Sequence, residues 1–430
     1  MATEGHPYKH LATDHIPINE KHGRLLRVLG VGFGLAVIIG NTIGAGIFRA
    51  PGEIAMQLPN QWLFLTAWVA GGLYALLGAF QIAELGTMLP RSGGQYVFSR
   101  YALGEYAGFV VGWSDWISTC GSAAAVSIVI GDFAGRLFPI LAGKATAIAA
   151  LVAIVFALLQ WRGIILSSLV QDLTSFLKAL AFILLVIAAF VFADRQGLLG
   201  PPQSIAAPAG LALFAAFIIA LQSVIYTYDG WAGVVYFSEE VKDPARDIPR
   251  SLFSGVLAII GIYLLVNLAL LYVLPISKIA GQEFAAGIAA EVIFGRYGNQ
   301  VFLALTLLSM LSAINAYHLM ATRVIFSMSR DRLLAKSVAN VNPGGTPTVA
   351  LFLSAIDGCP DHCIRQDVRK SDHHPFILLR GELHAFIHLG ICLALARAGK
   401  SSPIQSLGLS LDYGAGFAGV SCFFGRSGGE

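Results

Sequence analysis

Long apolar segments, repeated at short intervals, constrain this sequence more than any other feature. About 20 apolar residues in a helix span the roughly 30 Å hydrocarbon core of a bilayer. Eight segments of this kind run over residues 28–47, 62–83, 106–130, 137–159, 167–193, 211–237, 252–274 and 301–321. A ninth begins at Val349 and is cut off at Ile356. Because the backbone in lipid must satisfy its own hydrogen bonds, the pattern predicts an all-α membrane bundle.

Apolar residues make up 56% of the chain, whereas charged residues make up only 12%. Ordinary soluble domains carry about 25% charged residues. A water-surrounded core cannot bury this much apolar surface, so lipid is the expected partner. This excludes a soluble enzyme, and no nucleophile–base set or phosphate loop stands in a plausible context. We expect no catalytic activity, cofactor, metal or nucleic-acid partner.

Positive charges are distributed unevenly between the connecting segments. If residues 1–24 form a cytosolic tail, fourteen Lys and Arg residues before residue 357 fall on inner segments and six on outer ones. An excess of Lys and Arg is typical of the cytosolic loops of membrane proteins. The tail also lacks the apolar core and cleavage site of a secretory signal. The pattern predicts a multi-pass protein of the cell membrane with a cytoplasmic N-terminus.

Two of the predicted spans contain residues that are poor helix formers. The first contains the run GNTIGAG at residues 40–46, and the sixth contains YTYDGW at residues 226–231. The two spans lie five apart, which indicates five spans followed by five inverted spans. Interrupted helices at matching positions of two halves are typical of the midplane binding site of a transporter. The sequence therefore predicts two broken helices that meet at one depth.

An interrupted helix exposes free N–H groups at one new end and free carbonyl groups at the other. The N–H groups suit a carboxylate, and the carbonyl groups suit an ammonium or a cation. Two crossing breaks can therefore hold the head group of a zwitterionic amino acid by backbone alone. Gly44 and Gly46 permit close approach because they have no Cβ. The alternative is that these glycines serve helix packing, but the pair of breaks favours a binding site.

Ordered motifs in the chain resemble those of the amino acid–polyamine–organocation permeases. GNTIGAGIF at residues 40–48 is similar to the first-helix signature of that family, and ELG at 84–86 with PRSGGQY at 90–96 is similar to the segment after its second helix. YDGW at 228–231 leads into a family-like loop, SEEVKDPARDIPR, at 238–250. SRDRLL at 329–334 and GTP at 345–347 match the segment after span eight. The resemblance covers residues 27–356.

This resemblance implies an inverted-repeat helix bundle of the leucine-transporter type. It also implies transport of amino acids by alternating access about the two breaks, as a proton symporter or an exchanger. The implied substrate-binding residues are Ile43, Gly44, Ala45 and Gly46, through N–H groups, and Tyr226, Thr227 and Asp229, through carbonyl groups. Tyr228 and Trp231 would flank or gate the pocket, with ordinary core packing as an equal alternative. Asp229 has the alternative role of stabilising the break.

Lys178 is an ionisable residue within the fifth predicted span. Charged residues inside a membrane usually have a function. By resemblance, this lysine lies where sodium-coupled relatives hold a cation, in contact with the first and eighth spans. A buried lysine with a lowered pKa could also load and release a proton during transport. The alternative is that its side chain extends to the cytosolic surface, because Gln171 and Asp172 lie only two turns away. We expect Lys178 to couple transport to protons.

Charged residues elsewhere have mainly structural interpretations. Asp115, in the third span, is expected to be a hydrogen-bonded structural residue. Glu239 and Glu240 are expected to form a cytosolic charge cluster with Arg246 and Arg250, either as a gate latch or as a solvated loop.

Residues 357–430 differ in character from the rest of the chain. Four of the five cysteines and five of the ten histidines lie there, and Cys120 is the remaining cysteine. These residues could be interpreted as a zinc cluster, but their spacing along the chain does not match the patterns of structural zinc sites well. Back-translated with synonymous codons chosen for the purpose and read one nucleotide later, the tail can spell two apolar spans, a basic loop like that of the family and the start of another span. We therefore interpret residues 357–430 as an out-of-frame tail without stable structure, which leaves the second repeat incomplete.

Three functions remain open at this point. The favoured one is an amino acid permease whose activity is impaired by the aberrant tail. The others are a membrane remnant that does not transport and a transporter of the same fold for polyamines or cations. An acidic pocket would favour polyamines, and Asp229 is the only carboxylate placed at the predicted site.

Overall fold

The computed structural model describes residues 24–44, 46–193 and 208–357. Within these ranges the chain is helical, with two isolated β-bridges, one between Leu29 and Val241 and one between Val341 and Pro347. The longer helices are α1 (Val31–Thr42), α2 (Gly46–Gln57), α3 (Gln61–Met88), α4 (Gln95–Leu103), α5 (Glu105–Leu137), α6 (Ala145–Arg162), α7 (Ile164–Phe192), α8 (Leu211–Tyr228), α9 (Pro244–Val273), α10 (Ala285–Phe294), α11 (Gly298–Arg330) and α12 (Thr348–Asp357).

The helices confirm the prediction of an all-α, multi-pass membrane protein. In the described ranges, seven helices are long and apolar enough to cross a membrane. The number of spans rises to eight if the bent pair α1–α2 is counted as one further span. The fourth span is shorter than predicted, because α6 begins at Ala145 rather than at Leu137. The intervening Pro139–Leu141 forms a short 3-10 turn. Helix α12 begins at Thr348, next to the predicted start of the ninth span.

Two helices between the spans were not predicted. Helix α4 follows the glycine pair of the PRSGGQY motif and buries Tyr96, Val97 and Phe98. Helix α10 lies between the seventh and eighth spans and buries four alanines. Both are too short to produce an apolar segment of membrane-spanning length, so hydropathy does not reveal them.

Capping and proline residues account for where several helices begin. The side-chain oxygen of Asn60 accepts hydrogen bonds from the N–H groups of Trp62, at 2.9 Å, and Leu63, at 3.2 Å. These two bonds satisfy donors that the first turn of α3 leaves free. Helix α9 begins at Pro244, whose missing N–H is not needed in a first turn. Local sequence thus determines where α3 and α9 begin.

The first span lies at the centre of the bundle. Val37, Ile38 and Ile43 are fully buried, and α1 packs against α7, α9 and α11. By contrast, α7 exposes Leu169, Phe176 and Val191 on its outer face. Large apolar side chains on the outside, with polar groups inside, are what a lipid environment requires. This arrangement places the predicted first break deep within the protein.

Some predictions fall on residues outside the described ranges. They concern the cytosolic tail up to residue 23, the residue Ala45, and the out-of-frame tail from residue 358 onwards. The incomplete second repeat belongs to the last of these. All remain predictions.

Candidate functional site

The first span is interrupted where the glycine-rich run predicted a break. Helix α1 ends at Thr42 and α2 begins at Gly46, with a bend of 48° between them. The backbone of Ile43 is extended, with φ −78° and ψ 91°. Its N–H still donates to the carbonyl of Ile39, at 3.0 Å. Ile43 therefore contributes its carbonyl group to the break rather than the free N–H that was expected.

The sixth span is interrupted at the second predicted position. Helix α8 ends at Tyr228, and Asp229 is extended with φ −58° and ψ 144°. Gly230 has φ +112°, a conformation that favours glycine. One oxygen of the Asp229 carboxylate accepts the N–H of Gly230 at 2.9 Å, which stabilises the turn. The chain then continues as a 3-10 helix over Gly233–Phe237.

The two breaks meet inside the bundle. The side-chain amide of Asn41 donates to the carbonyl of Gly230 at 3.1 Å. A Cβ on Gly46 would lie 3.2 Å from Cγ2 of Thr227, so the start of α2 faces the end of α8 closely. The hydroxyl of Tyr263, on α9, lies 2.9 Å from the carbonyl oxygen of Thr42 and 3.0 Å from that of Thr227. Both broken helices therefore expose backbone groups at one depth.

The aromatic residues of the sixth span are packed tightly beside the breaks. Tyr228 is buried, with its ring centroid 4.9 Å from that of Tyr263, and its hydroxyl donates to the carbonyl of Trp68 at 3.2 Å. Trp231 is buried against Gly78, where a Cβ would lie 2.6 Å from Cζ2 of the indole. The side chain of Tyr226 is 43% exposed. Tyr228 and Trp231 are thus packed in the core beside the breaks, and their role in flanking or gating a pocket stays a prediction.

Lys178 reaches the first break from α7. Its side chain is only 1% exposed, and its ammonium donates to the carbonyl groups of Gly40, at 2.9 Å, and Ile43, at 2.6 Å. The hydroxyl of Ser309, on α11, donates to the same Ile43 carbonyl at 2.9 Å. The ammonium thus points to the free carbonyl end of α1 and shares the Ile43 carbonyl with a hydroxyl of α11. It does not extend to the surface of the bundle.

Comparison with known proteins identifies the family. The sequence profile described as amino acid permease matches residues 34–359. The chain belongs to the amino acid permease family. This match confirms the resemblance inferred from the motifs.

Among its relatives, the permease is 29% identical over 333 residues to the serine/threonine exchanger SteT of Bacillus subtilis, covering 76% of this chain and 74% of that protein. It is 29% identical over 344 residues to Asc-type amino acid transporter 1 of Mus musculus, covering 76% of this chain and 63% of that protein. It is 26% identical over 342 residues to the b(0,+)-type amino acid transporter 1 of Mus musculus, covering 77% and 69%. The permease therefore spans less than two thirds of the Asc-type relative.

Solved structures of other transporters share the fold. A sialic acid symporter coupled to Na⁺ superposes with a TM-score of 0.63 at 14% identity, covering 87% of the permease and 82% of that chain. Mhp1, of the nucleobase-cation-symport-1 family, superposes with a TM-score of 0.57 at 16% identity, covering 82% and 75%. These likenesses confirm the inverted-repeat fold of the leucine-transporter type.

A buried polar network continues from the first break along α7 and α11. The hydroxyl of Ser175 donates to the carbonyl of Ala36 at 2.7 Å and lies 2.9 Å from that of Ser312. The amide of Asn315 donates to the side-chain oxygen of Gln171 at 2.8 Å. These side chains were not identified from the sequence. Their only signal there is that several polar residues recur within apolar spans.

The PRSGGQY motif docks on the last turn of α11. Gly94 has φ +64°, and a Cβ there would lie 2.5 Å from the ring of Tyr236. The glycine lets the motif turn into α4, whose Tyr96 donates to the carboxylate of Asp331 at 3.0 Å. Arg91 and Arg100 also bind this carboxylate. Burial, and then the negative Asp331, raise the pKa of Tyr96 above its ordinary value, so the phenol remains a donor.

The acidic pair after the sixth span has different partners from those predicted. Both Glu240 and Arg323 are fully buried, and they form two parallel hydrogen bonds of 2.9 Å. Glu239 binds Arg330 differently, because one guanidinium nitrogen, Nη1, donates to both carboxylate oxygens at 2.6 and 2.7 Å, and this pair is partly exposed. The prediction of Arg246 and Arg250 as partners was wrong. The partners come from α11, more than 80 residues away along the chain, which sequence proximity does not reveal.

Glu240 also joins three parts of the permease. Its carbonyl accepts the N–H of Leu29 at 2.8 Å, while the N–H of Lys242 donates to the carbonyl of Leu29 at 2.8 Å. The segment before α1 is therefore paired with the segment after the sixth span. Through its carboxylate, Glu240 ties both to α11. Glu240 is therefore not part of a solvated loop, and a gate latch with Arg323 as the partner stays a prediction.

Asp115 has the structural role that was expected. It is buried on α5, and its two carboxylate oxygens lie 3.0 and 2.8 Å from the hydroxyl of Tyr236, which donates to them. Among the described residues, no group of three or more His, Cys, Asp or Glu side chains is placed to hold a metal ion.

Proposed function

We propose that the permease transports neutral amino acids across the cell membrane by alternating access, with its N-terminus in the cytoplasm. The observation that carries this proposal is the meeting of the two interrupted helices, through Asn41, Gly230 and Tyr263. Backbone groups at one buried depth, including carbonyl oxygens that can accept a second hydrogen bond, offer complementary partners to a zwitterion and require no charged side chain. Binding and release, rather than catalysis, is the chemistry that such a site performs.

The amino acid head group lies between the two breaks. Its carboxylate binds N–H groups at the start of α2, where the first turn has no partners within the helix. The N–H of Ile43 is engaged within α1, so the donors are those of Gly44, Ala45 and Gly46. The ammonium binds carbonyl groups of Tyr226, Thr227 and Asp229. The carbonyls of Tyr226 and Thr227 each accept one bond already, and a carbonyl oxygen has room for a second.

The charges near the breaks favour a neutral side chain in the substrate. Among the described contacts at the two breaks, the charged side chains are Lys178, which binds carbonyls of α1, and Asp229, which binds Gly230. Both are engaged in the protein itself, so neither is available to neutralise a charged substrate. The names of the relatives, a serine/threonine exchanger among them, support the same choice. Exchange is therefore favoured, with proton symport as the alternative.

Lys178 is the proposed coupling residue. Its ammonium holds the end of α1 to α7, next to Ser309 on α11. Loss of its proton would weaken both hydrogen bonds to the carbonyl groups of Gly40 and Ile43. Proton binding would in this way be linked to the position of the broken helix.

The tail from residue 357 is proposed to be out of frame, with impaired transport as the consequence. The family match supports this, because it ends at residue 359, close to the change in composition. Sequencing the gene tests the idea directly: a neighbouring frame without permease-like apolar segments contradicts it. A version with the frame restored should take up amino acids at least about tenfold faster than the full-length chain described here. Equal uptake would refute the impairment.

An exchange assay in proteoliposomes tests the proposed function. Proteoliposomes containing the frame-restored permease are loaded with unlabelled L-threonine, and uptake of labelled L-serine is measured with and without a pH gradient. Uptake that requires internal threonine indicates exchange, and uptake driven by the gradient indicates symport. Failure of L-serine, L-threonine and L-leucine alike to enter or to bind would overturn the proposed function.

A further inference from the structure

Arg246 and Arg250 take no part in the two breaks or in the ion pairs described above. Both belong to the motif after the sixth span, and both are exposed on the first turns of α9. Neither guanidinium group forms an ion pair among the described residues. By contrast, the arginines that bind a carboxylate near the same end of the bundle are Arg91, Arg100, Arg323 and Arg330. The two guanidinium groups of α9 are therefore available to a partner outside the chain.

The exposed face of α9 continues from these arginines along the helix. Its exposed residues are Arg246, Arg250, Ser254, Leu257, Leu265 and Leu268. Their spacing of three, four or eight positions puts them on one side of a helix. At a rise of 1.5 Å per residue, Leu257 lies about 10 Å beyond Arg250 along the axis, and Leu268 about 27 Å beyond it. One face thus carries two cations at its end and apolar side chains over most of its remaining length.

Helix α3 widens this apolar face. The ring centroid of Phe80 lies 4.7 Å from that of Phe253 on α9. Further along, a Cβ on Gly72 would lie 2.9 Å from Cγ1 of Ile260, so the two helices pack closely. Between these contacts, the side chains of Leu77 on α3 and Leu257 on α9 are exposed. The pair of helices therefore presents apolar surface at the depth where an acyl chain lies.

The segment before α1 adds positive charge beside the arginines. The N–H of Lys242 donates to the carbonyl of Leu29 at 2.8 Å, which places this segment next to the start of α9. Arg24, Arg27 and Lys242 are all exposed there. With the two arginines of α9 they make five cations, whereas residues 24–30 and 241–250 contain only two acidic residues. Clusters of Lys and Arg at the end of a membrane helix attract anionic lipid head groups.

We propose that this end of α9 is a binding site for an anionic phospholipid. The phosphate lies between the guanidinium groups of Arg246 and Arg250, whose planar sets of N–H donors match the oxygens of a phosphate. One acyl chain lies along the apolar face of α9 beside α3. The lipid thereby holds the start of α9 to the segment before α1. This site is separate from the two breaks, and it does not depend on which substrate the permease transports.

The test compares an anionic with a zwitterionic lipid. The full-length chain is purified in detergent micelles, and the probes are phosphatidylglycerol and phosphatidylcholine with identical fluorescent acyl chains. Fluorescence anisotropy gives the Kd of each lipid on the same preparation. We expect phosphatidylglycerol to bind about tenfold more tightly than phosphatidylcholine at low salt. In about 1 M NaCl the preference should fall to within about twofold, because the screening length is then about 3 Å.

Two double variants with the same change in charge locate the site. Arg246→Gln combined with Arg250→Gln should reduce the preference for phosphatidylglycerol to within about twofold. Arg162→Gln combined with Lys336→Gln is the matched control, because both residues are exposed near the same end of the bundle and lie off this face of α9. This control should keep the wild-type preference. A ratio of two Kd values does not depend on the folded fraction of a sample, so partial misfolding leaves the comparison intact.

Three results would overturn the inference. In the first, the wild type shows no preference, or the variant without Arg246 and Arg250 retains it. In the second, the control variant loses as much preference, which would assign the effect to overall charge. In the third, glycerol 3-phosphate at about 1 mM displaces the labelled phosphatidylglycerol, which would indicate a site for free phosphate esters. Since amino acids are not probes in this assay, failure of the proposed function would leave these results unchanged.

Discussion

The ammonium of Lys178 lies 2.6 Å from the carbonyl oxygen of Ile43, where α1 gives way to the first break. The two residues are 135 positions apart in the chain. The contact places a positive charge at the negative end of a helix that stops inside the protein. A buried charge is tolerated there because it donates to two helix carbonyl groups, those of Gly40 and Ile43. Lys178 therefore combines a structural role with the proposed coupling role.

Lys178→Met should remove the dependence of substrate binding on pH. For the wild type we expect the Kd for L-threonine to change with pH, because proton binding at this site is linked to the first break. The substitution should also lower thermal stability, by about 1–3 kcal/mol, since two buried carbonyl groups lose a donor. Lys242→Met, on an exposed lysine, is the control and should behave as wild type. A pH dependence that survives in Lys178→Met refutes the coupling role.

Gly230→Ala should abolish binding of L-threonine without preventing folding of the bundle. The backbone there has φ +112°, and a Cβ added at Gly230 would lie 2.8 Å from the side-chain amide nitrogen of Asn41. Strain of this kind costs about 1–3 kcal/mol, and its relief moves the second break away from the first. Gly261→Ala, on α9 where a Cβ meets nothing within 4 Å, is the control. Binding by Gly230→Ala as strong as by Gly261→Ala would mean that the breaks do not form the site.

Glu240→Ala should destabilise the permease far more than Glu239→Ala. The first substitution leaves Arg323 buried without its carboxylate, which costs about 3–5 kcal/mol. The second removes a partly exposed pair with Arg330, for which about 0–1 kcal/mol is expected. Thermal unfolding of the detergent-purified variants, followed by size-exclusion fluorescence, measures both. Similar midpoints for the two variants would show that the pair with Arg323 does not stabilise the contact between Leu29, Glu240 and α11.

Tyr96→Phe should destabilise the contact between α4 and α11 to the same extent at every pH from about 6 to about 8. Burial and Asp331 raise the pKa of the Tyr96 phenol in the folded protein. Its contribution is therefore complete below the ordinary tyrosine pKa of about 10 and is lost only above it. Loss of a hydrogen bond to a carboxylate costs about 1–3 kcal/mol. Unfolding midpoints should drop equally across this range, and a drop that changes with pH contradicts the assignment.

Hydropathy and composition predicted most of the fold, because lipid leaves few options to an apolar chain. The first break was predictable from Gly40, Gly44 and Gly46, and the second from Asp229 and Gly230, because these residue types are poor in helix interiors. The spacing of the two breaks predicted the inverted repeat, and the family motifs added its leucine-transporter type and the expected place of Lys178 against the first helix. All of these signals are local in sequence or belong to a recognisable pattern.

The contacts that organise the site were not predictable in the same way. Tyr263 and Ser309 are single polar residues within apolar spans, and their acceptors at Thr42 and Ile43 lie more than 200 residues away. The true partner of Glu240 was missed for the same reason, since Arg246 and Arg250 are near in sequence and Arg323 is not. Which polar side chains meet inside a bundle depends on how the helices pack, and no local pattern records it.

An experimentally determined structure of the full-length permease with L-threonine bound tests the central claim most directly. The account predicts threonine between the two breaks, with its carboxylate within hydrogen-bond distance of the N–H groups of Gly44 and Gly46. Its ammonium should lie against the carbonyl groups of Tyr226, Thr227 and Asp229. Threonine bound elsewhere, or α1 and α8 continuing unbroken through these residues, would contradict it.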